Sequence, residues 1–178
     1  MKPESDILVK TEGLYAGIYD IASLANVPLF TKGTPHARDL NDFNQLLLDR
    51  AAQGQLLSWT LLFDGVFRAV IKVAKPTTSG YQDCDPINSL GSNLLVANLV
   101  FPSGRLILSC LSRLGKGEAA ILTVEPGEYR VTVIRDGVQE EMHAFLEDPA
   151  LYPAGEGPDW RITIMKAKAT VQEIVGKC

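Results

Sequence analysis

The chain has 178 residues, of which 46% are hydrophobic and 21% charged, a balance that builds one core and excludes both a disordered polymer and two full-sized domains. Its formal charge of -4 opposes nucleic-acid backbone and anionic lipid and favours a basic partner. No apolar stretch reaches the ~20 residues of a membrane span, and MKPESDILVK lacks the charged-then-apolar order of a secretory signal, so a single cytoplasmic domain over 1–178 is expected.

In chain order, DILVKTEGLYAGIYDIA mixes apolar and polar residues with strand-favouring Tyr15 and Tyr19, which predicts one or two early strands. VPLFTKGTPHARD, with two prolines and a glycine, predicts a loop or edge element. The period then changes. Leu40, Phe43, Leu46, Leu47 and Ala51 fall at helical spacing, with Asp39 as the candidate cap and Gly54 as the stop. Beyond the helix come strands and turns. SWTLLF and GVFRAVIKVAK flank Asp64-Gly65 and predict a hairpin, the second run alternating Phe67, Ala69, Ile71 and Val73 with polar residues.

Pro76 to Asn93 is a long connection rich in Gly, Ser, Asp and Pro. NLLVANLVFPSGRLILSCLSRL predicts a second hairpin, Pro102 pre-setting the turn and Gly104 closing it. ILTVEPGEYRVTVIRDG predicts a third: Leu122 and Val124 alternate on one limb, Tyr129, Val131 and Val133 on the other, and Gly127 supplies permissive torsions. In DWRITIMKAKATVQEIV, Trp160, Ile162 and Ile164 alternate with Arg161 and Thr163. About seven to nine short strands with one principal helix predict a mainly β (α+β) fold, an antiparallel β-sandwich or partly closed barrel.

The residues that could carry chemistry do not assemble into a known mechanism. Gly115-Lys116-Gly117 lacks the rest of a phosphate loop and a following helix. His36 and His143 have no metal-ligand spacing and are expected on loop or strand surfaces. Ser103 sits in FPSGR, which turn chemistry accounts for, without the nucleophile-elbow pattern. Cys84 lies between Asp83 and Asp85, whose charges disfavour a thiolate, and the two aspartates lack the glycine and distal glutamate of a calcium loop. Cys110 falls in an apolar run and is expected in the core, and with terminal Cys178 the odd, widely spaced thiols fit neither a disulfide framework nor a zinc site. No catalytic residue, cofactor or metal is expected, and the protein is expected not to be an enzyme.

One segment differs. From Val138 to Asp159 the chain has no lysine or arginine and gathers Glu140, Glu141, Glu147, Asp148, Glu156 and Asp159 among Phe145, Leu146, Leu151 and Tyr152, with Pro149, Pro153 and Pro158 stiffening it. Such a segment steers a basic partner and anchors it by burial, which makes Glu140, Glu141, Phe145, Glu147, Asp148, Tyr152, Glu156 and Asp159 the candidate partner-binding residues. The alternative is a solvated connection whose apolar residues fold back on the sandwich.

The order of helix, GVFRAVIKVAK, polar loop, NLLVANLVFPSGRLILSC, ILTVEPGEYRVTVIRDG, acidic loop and DWRITIMKAK resembles small bacterial proteins related to the competence protein J family, whose type member inhibits a DNA-entry nuclease. The resemblance covers roughly the second half of the chain, and the matched Pro126, Gly127, Tyr129 and Arg130 are structural. It implies a β-sandwich that acts by binding another protein. The expected function is a cytoplasmic, immunity-type inhibitor of a basic toxin or nuclease domain. The alternatives are a self-associating scaffold, such as a homodimer, and a small-ligand-binding protein.

Overall fold

The computed structural model describes residues 4–12, 15–24, 40–74, 93–111 and 120–167. Among the described residues the alternating runs form nine strands: β1 (Glu4–Thr11), β2 (Tyr15–Asp20), β3 (Leu56–Thr60), β4 (Gly65–Ala74), β5 (Leu94–Phe101), β6 (Arg105–Cys110), β7 (Ala120–Thr123), β8 (Gly127–Arg135) and β9 (Trp160–Lys166). Three helices accompany them, α1 (Ile21–Leu24), α2 (Leu40–Ala52) and α3 (Gly137–His143), with a 3-10 turn at Pro149–Leu151. The strands divide into a five-stranded sheet ordered β1-β4-β9-β8-β5 and a four-stranded sheet ordered β3-β2-β6-β7, two open layers that do not close into a barrel.

Every described ladder is antiparallel except β4 with β9, where Ala69 to Ala74 run parallel to Trp160 to Met165. The exception follows from the route of the chain. β9 returns antiparallel to β8 after the excursion through α3 and fills the slot beside β4.

The inward residues of both sheets make the main core, including Ile18, Leu57, Phe67, Leu95, Leu108 and Val131. At its centre Trp160 stands edge-on to Trp59 (centroids 5.1 Å apart, 81° between planes) and stacks on Phe67 at 5.3 Å. Contacts of this kind add about 0.5–1.5 kcal/mol each to the burial of the rings. The expected helix is α2. Its Phe43, Leu46 and Leu47 pack with Tyr15, Tyr19, Leu56, Ile107 and Leu111 against the four-stranded sheet. Gly54 stops it at φ +66°, and the Gln55 N–H closes the end on the Arg50 carbonyl at 3.0 Å. Asp39, its expected cap, lies outside the described residues.

The three expected hairpins are a correction. β3 and β4, β5 and β6, and β7 and β8 each lie in different sheets, so Leu61 to Asp64, Pro102 to Gly104 and Val124 to Pro126 are arches between layers. The turn chemistry itself holds. Gly104 takes φ +68° and its N–H reaches the Phe101 carbonyl at 3.2 Å, closing the turn that Pro102 begins. Its own carbonyl accepts from Val124 N–H at 2.8 Å, which ties two arches together. The Tyr129 hydroxyl donates back to the Glu125 carbonyl at 2.6 Å and pins the Pro-Gly arch from beneath. Strands rich in residues such as Leu106, Ile107 and Leu108 bury both faces, so consecutive runs gain more by facing each other across the core than by sharing a ladder.

Candidate interaction site at the α3 corner

The acidic segment, expected as a loop, begins with a helix. Asp136 caps α3 by accepting the Gln139 N–H at 3.2 Å, and the pattern of Asp followed three residues on by Gln is the sequence signal that marks this start. The helix turns Glu140 and His143 inward and Val138 and Met142 outward, as spacings of three and four residues require.

Two networks hold the inward face. Arg135 Nε and Nη2 donate to the two oxygens of Glu140 at 2.8 and 2.6 Å, and Trp160 Nε1 donates to the same carboxylate at 2.7 Å. In the second, Asp159 is fully buried and accepts from Arg68 N–H at 2.6 Å and Tyr152 OH at 2.8 Å. His143 bridges it to Glu156, with Nδ1 2.8 Å from Asp159 and Nε2 2.9 Å from Glu156. The Arg68 side chain continues outward, donating to the Glu156 carbonyl at 2.6 Å and to both Asp6 oxygens at 2.9 and 2.5 Å. Burial, with the Asp159 carboxylate beside it, pushes the Tyr152 phenol well above its ordinary range. The Arg68 guanidinium, through its hydrogen bonds to Asp6, holds that carboxyl below the usual aspartate value.

The outward face is apolar. Val138 (69% exposed), Met142 (59%) and Phe145 (72%) lie on α3 and its exit, and Leu62 (70%) and Phe63 (45%) on the β3–β4 arch. The two pieces are joined by backbone: Phe145 N–H donates to the Asp64 carbonyl at 2.7 Å, and Gly65 bridges to Ala144. The Phe63 and Phe145 rings meet at 5.0 Å. Phe145 takes φ +69°, a left-handed conformation that costs an L residue about 1–2 kcal/mol and that holds this ring outward over the arch. Between arch and helix lies a pocket of about 230 Å³, walled by Leu61, Leu62, Phe63 and Phe67 and bordered by Glu140 and Glu141.

The structure distributes the candidate residues unevenly. Glu141, Phe145, Glu147 and Asp148 are exposed, Asp148 also accepting from Ala150 N–H at 2.9 Å. Tyr152 and Glu156 are half-buried in the second network. Glu140 and Asp159 face inward and are fully partnered, so their carboxylates support the corner from behind. His143, expected at the surface, is buried. The sequence reasoning missed Leu62, Phe63, Val138 and Met142. The run Leu61-Leu62-Phe63 breaks the alternation of the strand before it, and Val138 and Met142 sit four apart, which are the signals that could have found them.

Among the other candidates, Ser103 donates its hydroxyl to buried Asp20 at 2.7 Å, which also accepts Ser103 N–H at 3.0 Å and Ala22 N–H at 2.8 Å. This clamp holds α1 to the β5–β6 arch. Cys110 is buried, as expected. His36, Asp83, Cys84, Asp85, Gly115, Lys116, Gly117 and Cys178 lie outside the described residues. Among the described residues no three His, Cys, Asp or Glu side chains are arranged to hold a metal ion, and no helix is long and apolar enough to cross a membrane.

The architecture is that of a small two-sheet β-sandwich protein. No protein-family model matches the chain, and no curated protein does. Among solved structures, the one titled crocagin biosynthetic gene J superposes with a TM-score of 0.68 over 93% of this chain and 97% of its own, at 22% identity. ComJ from Bacillus subtilis, described as an inhibitor of the DNA degrading activity of NucA, superposes with a TM-score of 0.44 over 92% of this chain and 96% of its own, at 7% identity. The first similarity is one of fold, carried by nearly the full length of both chains.

Proposed function

We propose that this protein is a cytoplasmic binding protein, not an enzyme, that neutralises a basic protein partner such as a nuclease or toxin domain by covering it with the α3 corner. The observation that carries this reading is the cluster of Leu62, Phe63, Val138, Met142 and Phe145 standing in solvent beside Glu141, Glu147 and Asp148. Apolar side chains gathered this way on a monomer mark an interaction surface. The buried Arg135–Glu140 ion pair, the His143–Asp159 contact and a strained Phe145 hold the cluster in place before a partner arrives, which lowers the ordering cost of binding. The carboxylates set the sign of the partner, since a nuclease's cationic substrate groove accepts an acidic surface in place of phosphate.

The test is affinity capture from lysate with the wild-type chain and two variants, Phe63→Ser/Phe145→Ser and Glu141→Lys/Glu147→Lys/Asp148→Lys. The expected result is a basic protein retained by the wild type and lost from both variants, with the retained protein inactive in a nuclease or toxicity assay until released. Equal retention by all three chains refutes the reading.

A further inference from the structure

The pocket between the β3–β4 arch and α3 opens beside the exposed cluster, and its chemistry is more specific than that of the patch around it. Its volume of about 230 Å³ is below the ~300–1,000 Å³ of pockets that enclose a whole small-molecule ligand. A space of that size suits one long side chain and not a whole ligand. Leu62 and Phe63 give it exposed walls for an aliphatic stem, over a floor of the buried Leu61 and Phe67. At its polar border the Arg135 charge is already matched by the bidentate Glu140, which also holds Trp160 Nε1. Glu141 is different. It is exposed on the border of the pocket, and its carboxylate makes no hydrogen bond or ion pair among the described residues. The matched pair leaves Glu141 as the uncompensated charge among the residues that border the space, with Asn93 there as a neutral polar residue.

We infer that this pocket takes a single lysine or arginine side chain of the basic partner, its stem against Leu62 and Phe63 and its charged head at Glu141. A neutral side chain gains only the walls and an acidic one is repelled, so the pocket selects by sign as well as by shape. The inference rests on the reading of the α3 corner as the partner-binding surface and names what the partner presents there.

The test needs no partner. The full ¹⁵N-labelled chain is titrated with n-butylguanidinium and n-butylammonium chloride, with 1-pentanol and sodium pentanoate at matched ionic strength as controls. The expected result is saturable movement of the Leu62, Phe63, Gly137 and Glu141 amide resonances by both cations, with 1-pentanol at least about fivefold weaker and pentanoate weaker still. Glu141→Gln, at an exposed position, leaves the rest of the spectrum unchanged and brings n-butylguanidinium down to the level of the alcohol. Equal binding of alcohol and cation, preference for pentanoate, absence of saturable shifts, or an unchanged cation preference in Glu141→Gln overturns the inference. Failure here leaves the corner free to bind by its apolar cluster alone. Failure of the capture variants, in contrast, removes the corner without altering this titration.

Discussion

The buried pair of Arg135 and Glu140 offers the sharpest test of what holds the α3 corner in place. Their side chains are 7% and 9% exposed and share two hydrogen bonds, so solvent screens them little. Glu140→Leu leaves a guanidinium unpaired in the interior and the Trp160 indole N–H without its acceptor. The orphaned charge costs about 3–5 kcal/mol and the indole adds about 1–3 kcal/mol when it cannot find another acceptor, contributions that overlap because both act through one carboxylate. Arg135→Met/Glu140→Leu removes both charges, fills the space with apolar atoms, and leaves only the indole unsatisfied, a loss of about 1–3 kcal/mol. The double variant is therefore more stable than the Glu140→Leu single variant. Urea unfolding at neutral pH, with Arg135→Met completing the cycle and equal m-values as the control, measures the coupling directly. A coupling below about 0.5 kcal/mol, or a double variant less stable than Glu140→Leu, refutes the view that α3 is fixed by a desolvated ion pair.

Phe145→Gly is expected to leave stability within about 0.5 kcal/mol of wild type, because relief of the left-handed backbone is offset by glycine's chain entropy and loss of the Phe63 ring contact, while partner capture is lost. Thermal unfolding and capture, run on the same preparation, check both halves. Gly104→Ala is expected to destabilise by about 2–3 kcal/mol in the same urea assay, since a Cβ there meets the Val124 carbonyl and the Pro126 ring at a positive φ. The phenols of Tyr19, Tyr129 and Tyr152 are all raised, chiefly by burial. A raised folded value means a stability contribution complete below the unfolded pKa of about 10 and lost as pH rises through the folded value. Ultraviolet titration should accordingly show these tyrosines ionising together with alkaline unfolding, and Tyr152→Phe should weaken that link. For Asp6 the sign is opposite: held below the ordinary aspartate value by Arg68, it stabilises above about pH 4 and loses that contribution on acidification. Because Asp6 is half-exposed the contribution is under ~1 kcal/mol, and Asp6→Asn should flatten the acid limb of the stability profile by no more than that.

Local physics was legible in the chain itself. A period of two in GVFRAVIKVAK and GEYRVTVIR, a period near 3.6 through Phe43, Leu46 and Leu47, and the torsional needs met by Gly54, Gly104 and Gly127 determine strands, helix and turns without reference to anything distant. Which strands pair was decided only in three dimensions. An alternating run states which of its faces is apolar but carries no address for its neighbour, so Asp64-Gly65, Pro102 to Gly104 and Pro126-Gly127 suit a hairpin and an arch equally well. The two-layer core settled the choice by burying both sides of the corner. The same holds for charge. Glu140, His143 and Asp159 belong to a segment whose composition is that of a solvated surface, and they are interior because Arg135, Trp160, Arg68 and Tyr152, brought from other strands and turns, supply the donors that make burying them tolerable.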